Sequence, residues 1–575
     1  MTNGANHPIN GGSLRLKKPR QERTSARLDE PNVTQTNHIT GQSPAHVASH
    51  GTVAAGDPRT AAAGTAVLKA GGNAVDAAVG ANLTAFVTEP VLTSPFGGGL
   101  ALVAGANTPA QYLQFFAHTP GLGLTEQDRT ALEFQGLDVH FGPAIQQFHV
   151  GRGSTAVPLM LRGLLELQQT YGQLPLATVC APALEHARHG VILSDGVGPI
   201  LRILEPILRL TPATEDLFAP TGELLGAGSH FQSPGLVTLL EAFSRGDLTR
   251  AESTLLETFS PPHGLLTQQD LDHARVKSQA PIHITTHGYD IYLPPPPTSG
   301  GLLVAFGMKL LESVPAAIWD NPTATCQYLL AAMSITQSAR VSALDPALHD
   351  PSKSLDALVA DFLAPTHIDG WRAQLGSVVK EGPKAPLSEV PTLGSTTHIS
   401  VVDDKGLACS ITSSNGEGCG HVVPGLGAMA NNFMGEADLH PHGFHISPPG
   451  TALTSMMCPM VVAKDGRPVL SIGTGGSNRI RTALLQVLAR HLYAGTDIHH
   501  AVCAPRIHFE GDTLYLESHG TEHPMPPETL EVLRGQCQEH TIFETPNMFF
   551  GGVHAAATNR VGAGDGRRGG SVATT

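Results

Sequence analysis

The sequence predicts an α+β fold in which two β-sheets pack together with helices outside them, both halves of the chain supplying strands. Three observations lead there. An early apolar run, "GGGLALVAGA" at 97–106, reads as a buried strand entered through a tight turn. Between about 155 and 385 the signals are mainly helical. After residue 395 they change to short extended runs around glycine-containing turns, closed by a mixed α/β end.

In chain order, "PRTAAAGTAVLKAG" (58–71) reads as a helix rich in small residues and stopped by Gly71 and Gly72. "NAVDAAVGANLTAFVTE" (73–89) reads as a second helix with Asn73 at its N-cap. Gly97, Gly98 and Gly99 form a turn rather than a phosphate loop, since the Lys-Ser/Thr end of that loop is absent. Helices are expected over 158–172, 174–190 and 235–247, a hairpin over 281–295, and further helices over 299–313 and 328–342. The stretch 378–395 loses periodicity and is read as a linker. Beyond it, "TTHISVVD" and "LACSITSS" flank a turn containing Gly406, "PMVVAKDGRPVLSIG" supplies another strand pair, and "SNRIRTALLQVLARHL" a helix.

Composition excludes several function classes. The 575 residues carry a formal charge of −14 with only 15% charged residues, which argues against nucleic-acid or anionic-membrane binding. No apolar run approaches the roughly eighteen residues of a membrane span. Residues 1–45 lack the apolar core of a secretory signal and are read as a disordered arm. Seven scattered cysteines without a C-x-x-C pair argue against a disulfide framework and for a cytoplasmic setting. The 29 histidines show no H-E-x-x-H spacing, so neither a metal nor another cofactor is expected.

Thr396 stands where the linker gives way to a strand. A threonine hydroxyl is a poor nucleophile without a base, but an N-terminal threonine carries one in its own α-amine, whose pKa is about 7.7. Cleavage between Ser395 and Thr396 would create that state. The plain alternative is a structural Thr-Thr pair at a strand start, where threonine is common.

From about residue 46 onward the chain resembles the gamma-glutamyltransferase family of self-cleaving N-terminal nucleophile hydrolases. The likeness rests on "LKAGGNAVDAAV", "FGGGL", "AVPLMLRGLLELQQTYGQLP", "GLLTQQDL", "GYDIYLPPPPTSGG", "TTHISVVDDKG", "SIGTGGSNRI" and "DGRRGG", taken in order. The resemblance implies a four-layer αββα sandwich built from a large subunit (46–395, behind the arm) and a small subunit (396–575). It implies that Thr396 is the nucleophile, that Ser414 stands for a threonine bonded to the catalytic amine, and that Gly475 and Gly476 make an oxyanion hole. It further assigns Thr454 and Ser455 to the substrate carboxylate and Glu436 to the substrate amine, with Asn415 near the site one position early. Glutathione-cleaving members carry an arginine where this chain has Phe116. That exchange removes a charged, bidentate grip, with His118 as a substitute if protonated. The small-molecule substrate is expected to be a γ-glutamyl compound such as glutathione; the alternatives are another N-acyl amide and a non-catalytic fold. Pairing of two heterodimers stays open.

Overall fold

The computed structural model describes residues 50–129, 131–141, 144–348, 350, 352–383 and 395–575. The arm 1–45 and positions 384–394 of the expected linker lie outside the described residues. The start of that linker is corrected: residues 378–381 belong to the helix Leu375–Glu381. Leu375 is buried and Val378 and Val379 pack against the core, a helical spacing of apolar residues inside a stretch read as aperiodic. Gly382, at φ 85°, ends the helix, and a Cβ there would overlap the Gln536 carbonyl.

The strands form two large antiparallel sheets. In chain order they are β1 (Gly51–Ala55), β2 (Gly98–Gly105), β3 (Thr108–Phe115), β4 (Lys277–Gln279), β5 (Ile282–Thr286), β6 (Tyr289–Leu293), β7 (Thr396–Asp403), β8 (Leu407–Ser414), β9 (Met460–Lys464), β10 (Arg467–Gly475), β11 (Gly552–Ala557), β12 (Gly562–Gly564) and β13 (Ser571–Thr574). Seven follow the order β4-β3-β2-β8-β7-β1-β13, and six the order β5-β6-β9-β10-β11-β12. The sheets meet face to face, β7 lying over β10 and β11. Helices α1 (Pro58–Lys69) and α2 (Ala74–Thr88) cover the seven-stranded sheet, while α3 (Gly300–Leu311), α4 (Pro322–Ala339) and α5 (Arg479–Leu488) belong to the core of the other. Asn73 caps α2 as expected, in a reciprocal capping box with Asp76.

Period-two alternation in β7 decides which way its side chains face. Ile399 and Val401 join the core beneath the helices, and Thr397 bonds Glu89 at the end of α2. His398, Ser400 and Val402 point between the sheets. Apolar residues there include the small Ala54, Ala408 and Ala556 beside Leu102 and Val461. Hydroxyl donors cross the gap: Ser400 to the His554 carbonyl at 3.1 Å, Ser410 to Ile472 at 3.2 Å and Ser471 to Cys409 at 3.0 Å. By the same parity Thr396 faces the second sheet, at the end of the sandwich.

Candidate active site

Strand register brings the first site residues together. Thr396 lies opposite Ser414, and Ser414 opposite Gly98. The Thr396 hydroxyl is 3.4 Å from Ser414 Oγ. Ser414 Oγ accepts the Gly416 N–H at 3.1 Å and donates to the Ser395 carbonyl oxygen at 2.6 Å. One buried hydroxyl therefore joins the prospective nucleophile to the carbonyl of the bond that precedes it. The Ser395 N–H donates to Glu417 Oε1 at 3.1 Å, and Arg568 Nη1 donates to the Thr396 carbonyl at 3.3 Å.

Gly475 ends β10 directly against Thr396. A Cβ at 475 would overlap the Thr396 carbonyl oxygen, so only glycine permits this approach. Gly476 follows with φ 129°, a left-handed conformation.

A small cavity opens on Ser395, Thr396 and Ser414. Phe116, Phe433, Leu439, Met456, Met457 and Ile480 form its apolar wall; Glu436, Asp438, Ser455 and Ser477 supply polar groups. No lysine, arginine or histidine lines it among the described residues. Phe116 packs on Phe433 with ring centroids 4.4 Å apart. His118 does not replace the arginine charge, because burial and neighbouring His273 push its imidazole down to about 4.

Of the sequence-derived candidates, Thr396, Ser414, Ser455, Glu436 and Gly475 converge. Thr454 is half-buried and does not line the cavity. Asn415 is turned away, its amide donating to the Met429 and Ala430 carbonyls at 3.2 and 3.4 Å. Gly416 has φ 60°, and a Cβ there would meet the side-chain ends Asn432 Oδ1 and Glu436 Oε1, so an asparagine at this position would require both to shift.

Sequence reasoning missed the roles of Asp438, Ser477 and Arg568. Glu417, which is buried, and the half-buried Glu436 and Asp438 form a carboxyl cluster. Burial, then mutual repulsion, holds Glu417 and Glu436 well above the usual carboxylate range. Burial also raises Asp438, against the pull of Arg340 and Arg479. Glu436 Oε1 is buried without a hydrogen-bond partner among the described residues.

The two packed sheets with their outer helices are an α+β fold related to that of the N-terminal nucleophile hydrolases. The same fold is seen in a cephalosporin acylase from Bacillus halodurans, which superposes with a TM-score of 0.73 at 23% identity, covering 94% of this chain and 98% of that one. The chain belongs to the gamma-glutamyltranspeptidase family, whose model matches residues 60–575. Similar curated proteins include the acylase ACY 1 proenzyme of Pseudomonas sp. (strain V22), 29% identical over 89% of this chain and 90% of that protein. The glutathione hydrolase proenzyme of Bacillus subtilis (strain 168) is 27% identical, covering 85% of each chain.

Proposed function

We propose that the protein is a self-cleaving N-acyl amidohydrolase of αββα architecture, rather than a glutathione hydrolase. The observation that carries the substrate choice is the cavity wall. A γ-glutamyl head group presents a carboxylate and an ammonium. Among the described residues the cavity offers no cation for the first, and Phe116 on Phe433 fills the place of the family arginine. Burial and Glu417 push the Glu436 carboxyl above the usual carboxylate range, which weakens it as a charged partner for the second. An uncharged acyl group suits the aromatic and methionine wall better, and the likeness to an acylase supports the same choice.

The proposed maturation uses the hydroxyl relay. Thr396 Oγ attacks the Ser395 carbonyl carbon while its proton passes to Ser414 Oγ, whose own proton moves onto the carbonyl oxygen. Collapse of the tetrahedral intermediate breaks the C–N bond, protonates the Thr396 nitrogen and leaves an ester. Water then hydrolyses that ester, freeing the Ser395 carboxylate and the Thr396 hydroxyl beside the amine already released. In the mature enzyme that amine is the base, Thr396 forms the acyl-enzyme, and the Gly475–Gly476 backbone receives the oxyanion.

The test compares intact masses and anilide release. The wild type is expected to yield fragments 1–395 and 396–575, and Thr396→Ala a single full-length chain. Simple N-acyl anilides are expected to be cleaved at least tenfold faster than the γ-glutamyl anilide. A γ-glutamyl preference would overturn the substrate reading, and an uncut wild type the mechanism.

A further inference from the structure

We propose that the small subunit carries a transition-metal site for Zn²⁺, with His499, Cys503 and Glu522 as ligands. None of the three lines the Thr396 cavity. His499 and Cys503 are four residues apart on the helix Ile498–Cys503, so they share one face. Glu522 reaches the same point from the turn 518–525. One nitrogen, one sulfur and one carboxylate oxygen all lie within 4.8 Å of one another.

The distances suit a tetrahedral ion. Bonds of about 2.0–2.1 Å to nitrogen or oxygen and about 2.3 Å to sulfur put the N–S edge at about 3.6 Å and the N–O edge at about 3.4 Å. His499 Nε2 is 3.7 Å from Cys503 Sγ, which fits as it stands. It is 2.5 Å from Glu522 Oε1, and that half-exposed carboxylate needs to open by only about 0.9 Å. Imidazole, thiolate and carboxylate together are the donor set of a borderline-soft ion, not of Ca²⁺ or Mg²⁺.

The two ligand-bearing segments are clamped to each other. The Thr521 N–H donates to the Cys503 carbonyl at 2.9 Å, and a Cβ at Gly520 would overlap that same oxygen. The turn is closed by Gly520 N–H to the His523 carbonyl at 2.8 Å. Arg567 donates to the Val502 and Ala504 carbonyls at 3.1 and 2.8 Å, fixing the helix end. The geometry therefore exists without a large rearrangement on binding. His500 and His523, whose ring nitrogens also gather around Glu522, supply donors beside the fourth position. Binding forms metal–N, metal–S and metal–O bonds, and the Cys503 thiol proton leaves to solvent.

Metal-stripped protein of the full chain, titrated with Co²⁺ as a spectroscopic probe, tests this. The expected result is a thiolate-to-cobalt charge-transfer band that saturates at one ion, is displaced by Zn²⁺ and is lost in Cys503→Ser. Exposed His499→Ala and Glu522→Gln should each weaken Co²⁺ and Zn²⁺ binding at least tenfold, with metal-free melting temperatures close to the wild type. No thiolate band in the wild type at saturating Co²⁺, or wild-type affinity in the His499 and Glu522 variants, would overturn the site.

Discussion

Ser414→Ala isolates the hydroxyl that links Thr396 to the Ser395 carbonyl. The variant deletes a donor 2.6 Å from the oxygen on which negative charge develops when the carbonyl is attacked. Loss of one such preorganised donor typically costs about 2.7–4 kcal/mol of transition-state stabilisation, so self-cleavage should slow by about 10²–10³-fold. The same change strands the buried Gly416 N–H, which donates to Ser414 Oγ at 3.1 Å. That desolvated donor should cost about 1–3 kcal/mol of stability. Cleavage is followed as the disappearance of the full-length mass on a denaturing gel over time, with the melting temperature of Thr396→Ala,Ser414→Ala against Thr396→Ala reporting the fold. Ser414→Thr keeps the hydroxyl and should mature at a rate near that of the wild type. A folded Ser414→Ala protein that cuts within about threefold of the wild-type rate would refute the relay.

Two further outcomes follow from the packing around Thr396. Gly475→Ala should block maturation, because its Cβ has no room beside the Thr396 carbonyl and β10 must move away; normal cutting, read by intact mass, would remove Gly475 from the site. Glu89 gives a pH signature. Burial pushes its carboxyl from 4.5 up to about 7, against the hydrogen bond from Thr397. Between those pH values the native chain keeps a proton that the unfolded chain releases, so stability falls as pH rises, by about 3 kcal/mol across the window. In the uncut Thr396→Ala background, urea unfolding at pH 4.5 and pH 8 should show this loss, and Glu89→Gln should shrink it by about that amount, the raised Glu417, Glu436 and Asp438 carboxyls keeping the remainder. An unchanged slope in the glutamine variant would assign the pH dependence elsewhere.

What was legible in the sequence was local. The Asn73 cap, the hairpin around Gly288 and the abrupt strand at Thr396 each announce themselves within a few residues, through capping chemistry, turn glycines or alternation. The β7–β8 hairpin even delivers Ser414 opposite Thr396, since register follows from the short turn. What was hidden depends on contacts across long stretches of chain. Arg568 reaches Thr396 from 172 residues away, and the carboxyl cluster forms only when Glu417 meets Glu436 and Asp438. Whether Asn415 reaches the site could not be read from its position one residue early; in the fold its amide donates to the Met429 carbonyl at 3.2 Å. The ligand group around Glu522 escaped notice because one helix face and one distant turn share it.

The order of the seven-stranded sheet has a consequence for assembly. Strand β1 precedes residue 395, yet it sits between β7 and β13, which both follow it; β2, also from the first part, closes on β8. A cut at residue 395 thus severs a covalent link without freeing either piece. Separation would require unzipping three seams of this sheet, and the β6–β9 seam of the other. The halves are interleaved like the fingers of clasped hands. That weave favours a chain made in one length and cut only after it has folded.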